Sequence, residues 1–268
     1  MRGDDGDQPH CGQESALLEE REENDMRKDC TIGLVVPFAS DTVPEEGLQM
    51  YPGVRFVARG VGVRSLTPTG YDSAWEGILP AAEHRAGLGV DAVMVIGTSL
   101  TFYRGADAHE ELMAKLRAAT GLPVSTMSQA VVDGLRSFGA RRIAVATAYA
   151  DEVNDRLQAF LIAKGFEVLA LEGFGLFGFG EPDTKSEADI IALGSKACAA
   201  APAAHGLLIS CGGLRTLGVA QPLEERHGIP VVASTQAAFW AALRLAGESG
   251  RVAGRGRLHE RSTAAPVH

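Results

Sequence analysis

One stretch of the chain is answered by another. TIGLVVP at 31–37 returns about 110 residues later as RIAVAT at 142–147, VMVIGTSL at 93–100 as LLISCGGL at 207–214, and GLPVSTMSQAV at 121–131 as GIPVVASTQAA at 228–238. An echo that keeps apolar runs and the turns after them in the same order implies two copies of one α/β unit. The runs TIGLVVP, AVMVIG (92–97), PVST (123–126), RIAVAT, GLLIS (206–210) and PVVAS (230–234) are short and mostly apolar, as strands buried on both faces are. Helical patterns such as AHEELMAKLRAA, SQAVVDGLRSFG and DEVNDRLQAFLIAKG lie between them. This alternation predicts parallel sheets joined by right-handed crossovers. The expected architecture is therefore α/β, with two pseudo-symmetric Rossmann-like (flavodoxin-like) lobes and a cleft between them. Lobe 1 is expected over 31–127, with a helix near 235–247 packing back on it, and lobe 2 over 128–234. Ligands of open α/β sheets bind beyond the carboxyl ends of the strands, so GTSL and SCGG are expected to face each other as walls of one site.

Composition narrows the function. The 268 residues are 46% hydrophobic, enough for two lobes of roughly 100 residues each. No apolar run approaches the roughly 20 residues that cross a bilayer, so no membrane partner and a cytoplasmic location are expected. Residues 1–30 hold ten acids against four Lys or Arg and carry −6 of the net charge of −9. That leader and the segment 251–268, RVAGRGRLHERSTAAPVH from Arg251 on, read as disordered tails. Without a basic patch, binding to a phosphate backbone lacks its main driving force, and nucleic acid is not an expected partner. Cys11, Cys30, Cys198 and Cys211 form no CxxC pair and no zinc spacing, which argues against structural disulfides and a metal site. His84, His109, His205 and His227 read as surface residues. FGLFGFGEP at 174–182 is glycine-rich but lacks the lysine of a phosphate loop, and reads as a mobile apolar cover over a pocket.

The two walls offer different chemistry. Gly97-Thr98-Ser99 follows a strand and leads towards a helix, so it supplies two hydroxyls and free backbone N–H groups to a carboxylate or phosphate; the same residues would equally serve as helix caps. Cys211-Gly212-Gly213 sets a thiol at an expected helix start, where the dipole would lower its pKa, or else it is a small residue filling a turn. An apolar surrounding would push that pKa the other way. Tyr149 ends a strand and offers its hydroxyl to the same cleft, or packs as an ordinary half-buried tyrosine. A symmetric fold needs the small turn twice, but it does not need a thiol on one side alone.

With these residues assembled, the chain resembles the aspartate/glutamate racemase superfamily and, within it, the arylmalonate decarboxylases. The likeness runs over most of 31–247 and rests on TIGLVVP, TPTGYD, GTSLTFYRG, ATGLPVSTMS, ARRIAVATAYADEVNDRLQAFL, LLISCGGLRTL and FWAALRLAG. Racemases of this superfamily set two cysteines against each other, whereas here one of those positions is Gly97. The resemblance implies decarboxylation of an α-aryl or α-alkenyl malonate without metal, biotin, thiamine or pyridoxal. It implies that Thr98, Ser99, Tyr149 and the backbone N–H groups of Cys211 and Gly212 hold the carboxylate that stays. The leaving carboxylate would sit against Pro37, Phe38, Val63, Leu66, Tyr71, Leu100, Phe179, Pro182 and Gly213, and Cys211 would protonate the enediolate. The family pattern has a second proline where Phe38 stands, a valine for Phe179 and a methionine for Pro182, so this pocket is expected to be altered. A small dicarboxylate is the expected partner and a monomer the expected state. Maleate isomerases, amino-acid or hydantoin racemases and a non-catalytic carboxylate-binding protein are the alternatives.

Overall fold

A computed structural model describes residues 30–260. The acidic leader and the last eight residues lie outside the described residues, and so do the expectations made for them. In chain order the elements are β1 (Thr31–Val36), α1 (Glu45–Met50), β2 (Arg55–Gly60), α2 (Pro68–Ala86), β3 (Ala92–Val95), α3 (Thr98–Phe102), α4 (Ala106–Thr120) and β4 (Val124–Thr126). The second half begins with α5 (Met127–Ser137), β5 (Arg142–Tyr149), α6 (Asp151–Ala163) and β6 (Glu167–Leu176). After a short 3₁₀ turn at Glu181–Thr184 come α7 (Glu187–Ala200), β7 (Gly206–Ser210), α8 (Ala220–His227), β8 (Val231–Ala233), α9 (Ser234–Leu245) and α10 (Arg257–Glu260).

Each half forms its own parallel four-stranded sheet, ordered β2-β1-β3-β4 and β6-β5-β7-β8. The two orders are the same, as a duplicated unit requires. β1, β3, β5 and β7 are the apolar runs of the sequence, and their residues are almost all buried because helices cover both faces. β2 and β6 were not among the expected strands. They sit at the sheet edges with one side partly open, so RFVARG and EVLALEGFGL mix charged and apolar residues and carry no continuous apolar run. Helix α9 packs against α5, α1 and strands of both sheets, and its Phe239 meets Phe56 of β2 edge-on at 5.1 Å. Gly47 in α1 lets this happen, since a Cβ there would fall 2.1 Å from the Phe239 ring.

Three expectations need correction. Residues 251–260 are not a loose tail: Leu258 and His259 are buried, the Tyr51 hydroxyl donates to the Gly250 carbonyl at 2.7 Å, and the Arg257 N–H donates to Glu224 at 2.9 Å. His109 is not a surface residue but fully buried, with Nε2 2.8 Å from the Thr126 hydroxyl, and desolvation pushes its pKa down to about 4. Nor does the glycine-rich stretch hang free. Its first part is the end of β6, Gly178 forms a bridge with Ser65, and Glu181 accepts hydrogen bonds from the N–H groups of Phe177 and Gly178. Among the described residues no helix is long and apolar enough to cross a membrane.

Candidate active site

The strand register brings the two echoing turns to the carboxyl ends of their sheets. In lobe 1, Val35 pairs with Val95, so Pro37-Phe38 and Gly97 leave the sheet side by side. In lobe 2, Thr147 pairs with Ser210, which sets Tyr149 beside the exit of Cys211. These ends line one cavity of about 710 Å³, within the range of small-molecule sites. Its wall includes Pro37, Phe38, Val63, Leu66, Tyr71, Gly97, Thr98, Ser99, Leu100, Phe179, Cys211, Gly212 and Gly213. Two named residues stand just behind it. Pro182 backs Gly213, where a Cβ would lie 3.2 Å from the proline ring, and Tyr149 is wholly buried.

The lobe 1 wall is braced from below. The Thr101 hydroxyl lies 2.7 Å from that of Ser128, and the Ser128 hydroxyl donates to the Thr98 carbonyl at 2.9 Å, which fixes the short helix α3. Gly97 has φ +118°, and a Cβ there would be 3.2 Å from the Cβ of Leu100. A side chain at this position is disfavoured twice over, by backbone conformation and by space. The Thr98 hydroxyl donates to the Met127 sulfur at 3.0 Å, a weak partner that a carboxylate can displace. Met127 also lies next to the opposite turn, where a Cβ on Gly212 would come within 3.4 Å of its sulfur.

The lobe 2 wall differs from the sequence expectation. No helix starts at Cys211: β7 gives way to an irregular segment, and α8 begins only at Ala220. The thiol therefore has no helix dipole to lower its pKa. It is 5% exposed, and desolvation pushes its pKa up to about 11 against the smaller effect of the Gly213 and Leu214 N–H groups and the Tyr149 hydroxyl. At neutral pH the group is a neutral SH. Cys211 is also the one non-glycine residue among those described with positive φ, at 155°.

Around the thiol lie hydroxyls held only loosely. The Tyr71, Tyr149 and Ser210 oxygens are buried and close no hydrogen bond of full geometry, their interactions being weak ones with Ser99, with one another and with the thiol. Both tyrosine hydroxyls lie near Ser99 and feel the Cys211 sulfur electrostatically, and Tyr149 lies near Ser210 as well. Burial drives both phenol pKa values upward, so both remain protonated donors. Tyr149 is held by its backbone, whose N–H donates to Thr147 Oγ1 at 3.2 Å and whose carbonyl accepts from Asn154 at 3.0 Å. Tyr71 is backed by Tyr103, ring centroids 5.2 Å apart. Buried donors without good acceptors are costly, and donors that converge in this way can serve an oxyanion.

The described residues 32–259 match the family described as arylmalonate decarboxylase. The chain belongs to the arylmalonate decarboxylase family. It is 44% identical to the arylmalonate decarboxylase of Bordetella bronchiseptica over 233 residues, which cover 87% of this chain and 97% of that protein. A crystal structure of a double mutant of arylmalonate decarboxylase in the liganded form superposes with a TM-score of 0.84 at 43% identity, covering 86% of this chain and 99% of that one. The maleate isomerase of Pseudomonas putida S16 shares the fold, with a TM-score of 0.80 at 19% identity over 88% of this chain and all of that one.

Sequence reasoning missed part of the decarboxylase cavity. Glu46, Gln49, Asp183, Glu187, Arg215, Thr235 and Arg255 also line it. They come from five separate segments and look in sequence like solvated helix faces and loops. Ser210 carried a signal, since it directly precedes Cys211 in the quoted run, yet its hydroxyl was read as part of a strand. Among the described residues no group of three or more His, Cys, Asp or Glu could hold a metal ion.

Proposed function

We propose that the protein decarboxylates α-aryl or α-alkenyl malonates by a cofactor-independent route that ends with proton transfer from Cys211. A neutral, buried thiol beside three buried hydroxyls that lack a well-formed hydrogen bond carries this reading. The retained carboxylate would lie against Thr98, Ser99 and Tyr149 and the N–H groups of Cys211 and Gly212. Tyr71 adds a further donor at the same place. The leaving carboxylate would face the apolar wall of Pro37, Val63, Leu66, Leu100 and Gly213, where a charge is poorly solvated and neutral CO₂ is not. As the carbon–carbon bond breaks, its electron pair spreads onto the retained carboxylate as an enediolate, which the hydroxyls stabilise. The Cys211 proton then passes to the α-carbon from one side, and the thiolate takes a proton from water to complete the cycle. Gly97 leaves the opposite side without a thiol, so the product should be a single enantiomer.

Phe38 and Phe179 approach each other edge-on across the cleft, centroids 6.0 Å apart, one from each lobe. They narrow the apolar chamber, so small α-substituents should be preferred over bulky ones. The test is carbon dioxide release and product chirality with phenylmalonate and 2-methyl-2-phenylmalonate, without added metal. Cys211→Ala should lose most turnover while still binding substrate. Full activity in that variant, or none in the wild type, would sink the reading.

A further inference from the structure

The Cys211 loop is held in place by side chains rather than by regular structure. Between Ser210 and Ala220 the backbone turns run from Leu214 N–H to the Cys211 carbonyl at 3.2 Å and from Val219 N–H to the Thr216 carbonyl at 3.0 Å. Thr216, five residues from the thiol and 1% exposed, is the anchor. From lobe 1, the Glu46 carboxylate accepts from the Thr216 N–H and sits 3.2 and 3.3 Å from its hydroxyl. From α9, the Gln236 amide donates to the Thr216 carbonyl at 2.6 Å. Glu187 accepts from the Gly218 N–H at 2.7 Å, and Arg255 donates to the Leu217 carbonyl at 3.2 Å.

Glu46 is thus where lobe 1 grips the loop that carries the proton donor. We propose that Glu46 is a positioning residue for decarboxylation, its carboxylate fixing Thr216 and, through it, the placement of the Cys211 thiol; this rests on Cys211 as proton donor. Burial pushes the Glu46 carboxyl up to about 7 even though hydrogen bonds from Thr216 and Leu217 pull it down. Glu45 on the same helix, Glu187 on α7, Asp183 and Arg215 across the mouth and Arg255 from the C-terminal segment are the charged groups that share its cavity. Glu187 adds to the upward push. The thiol and both cavity tyrosines titrate far above neutrality, so a limb in activity near pH 7 would belong to Glu46. Ionised, the carboxylate accepts every N–H and O–H aimed at it; protonated, it gives up acceptor capacity and the loop loosens.

The experiment uses full-length Glu46→Gln and Glu46→Asp, with thermal melts to confirm folding. Wild-type kcat on phenylmalonate should rise with pH through neutrality. Glu46→Gln should show a flat profile, kcat lower by roughly tenfold, KM within about twofold, and reduced enantiomeric purity on the methylated substrate, because a displaced thiol competes less well with water. Glu46→Asp should restore part of the pH dependence. Wild-type kcat, purity and pH profile in a folded Glu46→Gln would overturn the proposal. If Glu46→Gln does not fold, Thr216→Val decides. It removes a hydrogen bond that lowers the Glu46 pKa, so the acid limb should move to higher pH, and an unmoved limb refutes the role. Alkylation of Cys211 by iodoacetamide, followed by mass spectrometry, needs no turnover. It should be faster in Glu46→Gln, or in Thr216→Val if that is the folded variant, and equal rates would overturn the positioning role even if arylmalonates prove not to be substrates.

Discussion

Tyr149→Phe should make the protein more stable and much less active. The side chain is wholly buried, and its ring meets Phe102 edge-on with centroids 5.9 Å apart, a contact that phenylalanine keeps. The backbone at 149 is held through Thr147 and Asn154, which the substitution does not touch. Only the hydroxyl is lost. In the free protein that hydroxyl is desolvated and meets Ser99, Ser210 and the Cys211 thiol only in poor geometry, so part of a penalty of about 1–3 kcal/mol is left uncompensated. Recovering even ~1 kcal/mol should raise Tm by about 2–4 °C in a chain of this size. The cost falls on the transition state, where the same hydroxyl would donate to the enediolate. Loss of one such donor typically takes about 2.7–4 kcal/mol, a fall of roughly 10²–10³ in kcat. Differential scanning calorimetry and steady-state decarboxylation on the same preparation measure both quantities. A lower Tm with unchanged kcat would show that the hydroxyl serves the fold instead, and would refute the oxyanion argument for this residue.

Two further outcomes follow from packing and from the thiol. Gly47→Ala drives a Cβ into the Phe239 ring, and because α1 must then move off α9 the variant should lose about 1–3 kcal/mol in urea unfolding; a wild-type midpoint would mean the ring swings away freely. For Cys211, whose pKa rises from about 9 to about 11 on folding, the folded state holds the proton more tightly than the unfolded chain does. That contribution is complete below about pH 9 and is lost as pH climbs towards 11, so the Tm difference between wild type and Cys211→Ala should shrink over that window and stay constant below it.

The central strands were legible because burial on both faces leaves an uninterrupted apolar run, and the echo between halves placed the two turns opposite one another. Legibility failed where tertiary partners decide. β2 and β6 are edge strands whose open sides tolerate Arg55, Arg59, Glu167 and Glu172. His109 gave no sign of burial, since its place under α6 depends on Phe160, whose ring it meets edge-on at 5.3 Å. Leu258 and His259 sit in a stretch rich in glycine and arginine, and only the pocket formed around Tyr51, Gly250 and Glu224 orders them. Glu46 in PEEGLQM reads as an acid on a wet helix face, and nothing local shows that Thr216 will meet it from the other lobe.

The helix start expected at Cys211 is absent, although the two sheets have the same strand order. The turns differ. After β3 the chain enters α3 at once, so Thr98 and Ser99 arrive with first-turn N–H groups that have no intrahelical acceptor and suit a carboxylate. After β7 the chain wanders from Cys211 to Val219 before α8 begins, and the thiol meets buried hydroxyls and apolar side chains instead of a helix end. Under the proposed mechanism both walls donate to the retained carboxylate, but only the second brings a proton to transfer. A decarboxylation that must hold a developing enediolate and then protonate it from one side needs that division, and a fully symmetric pair of lobes would not supply it.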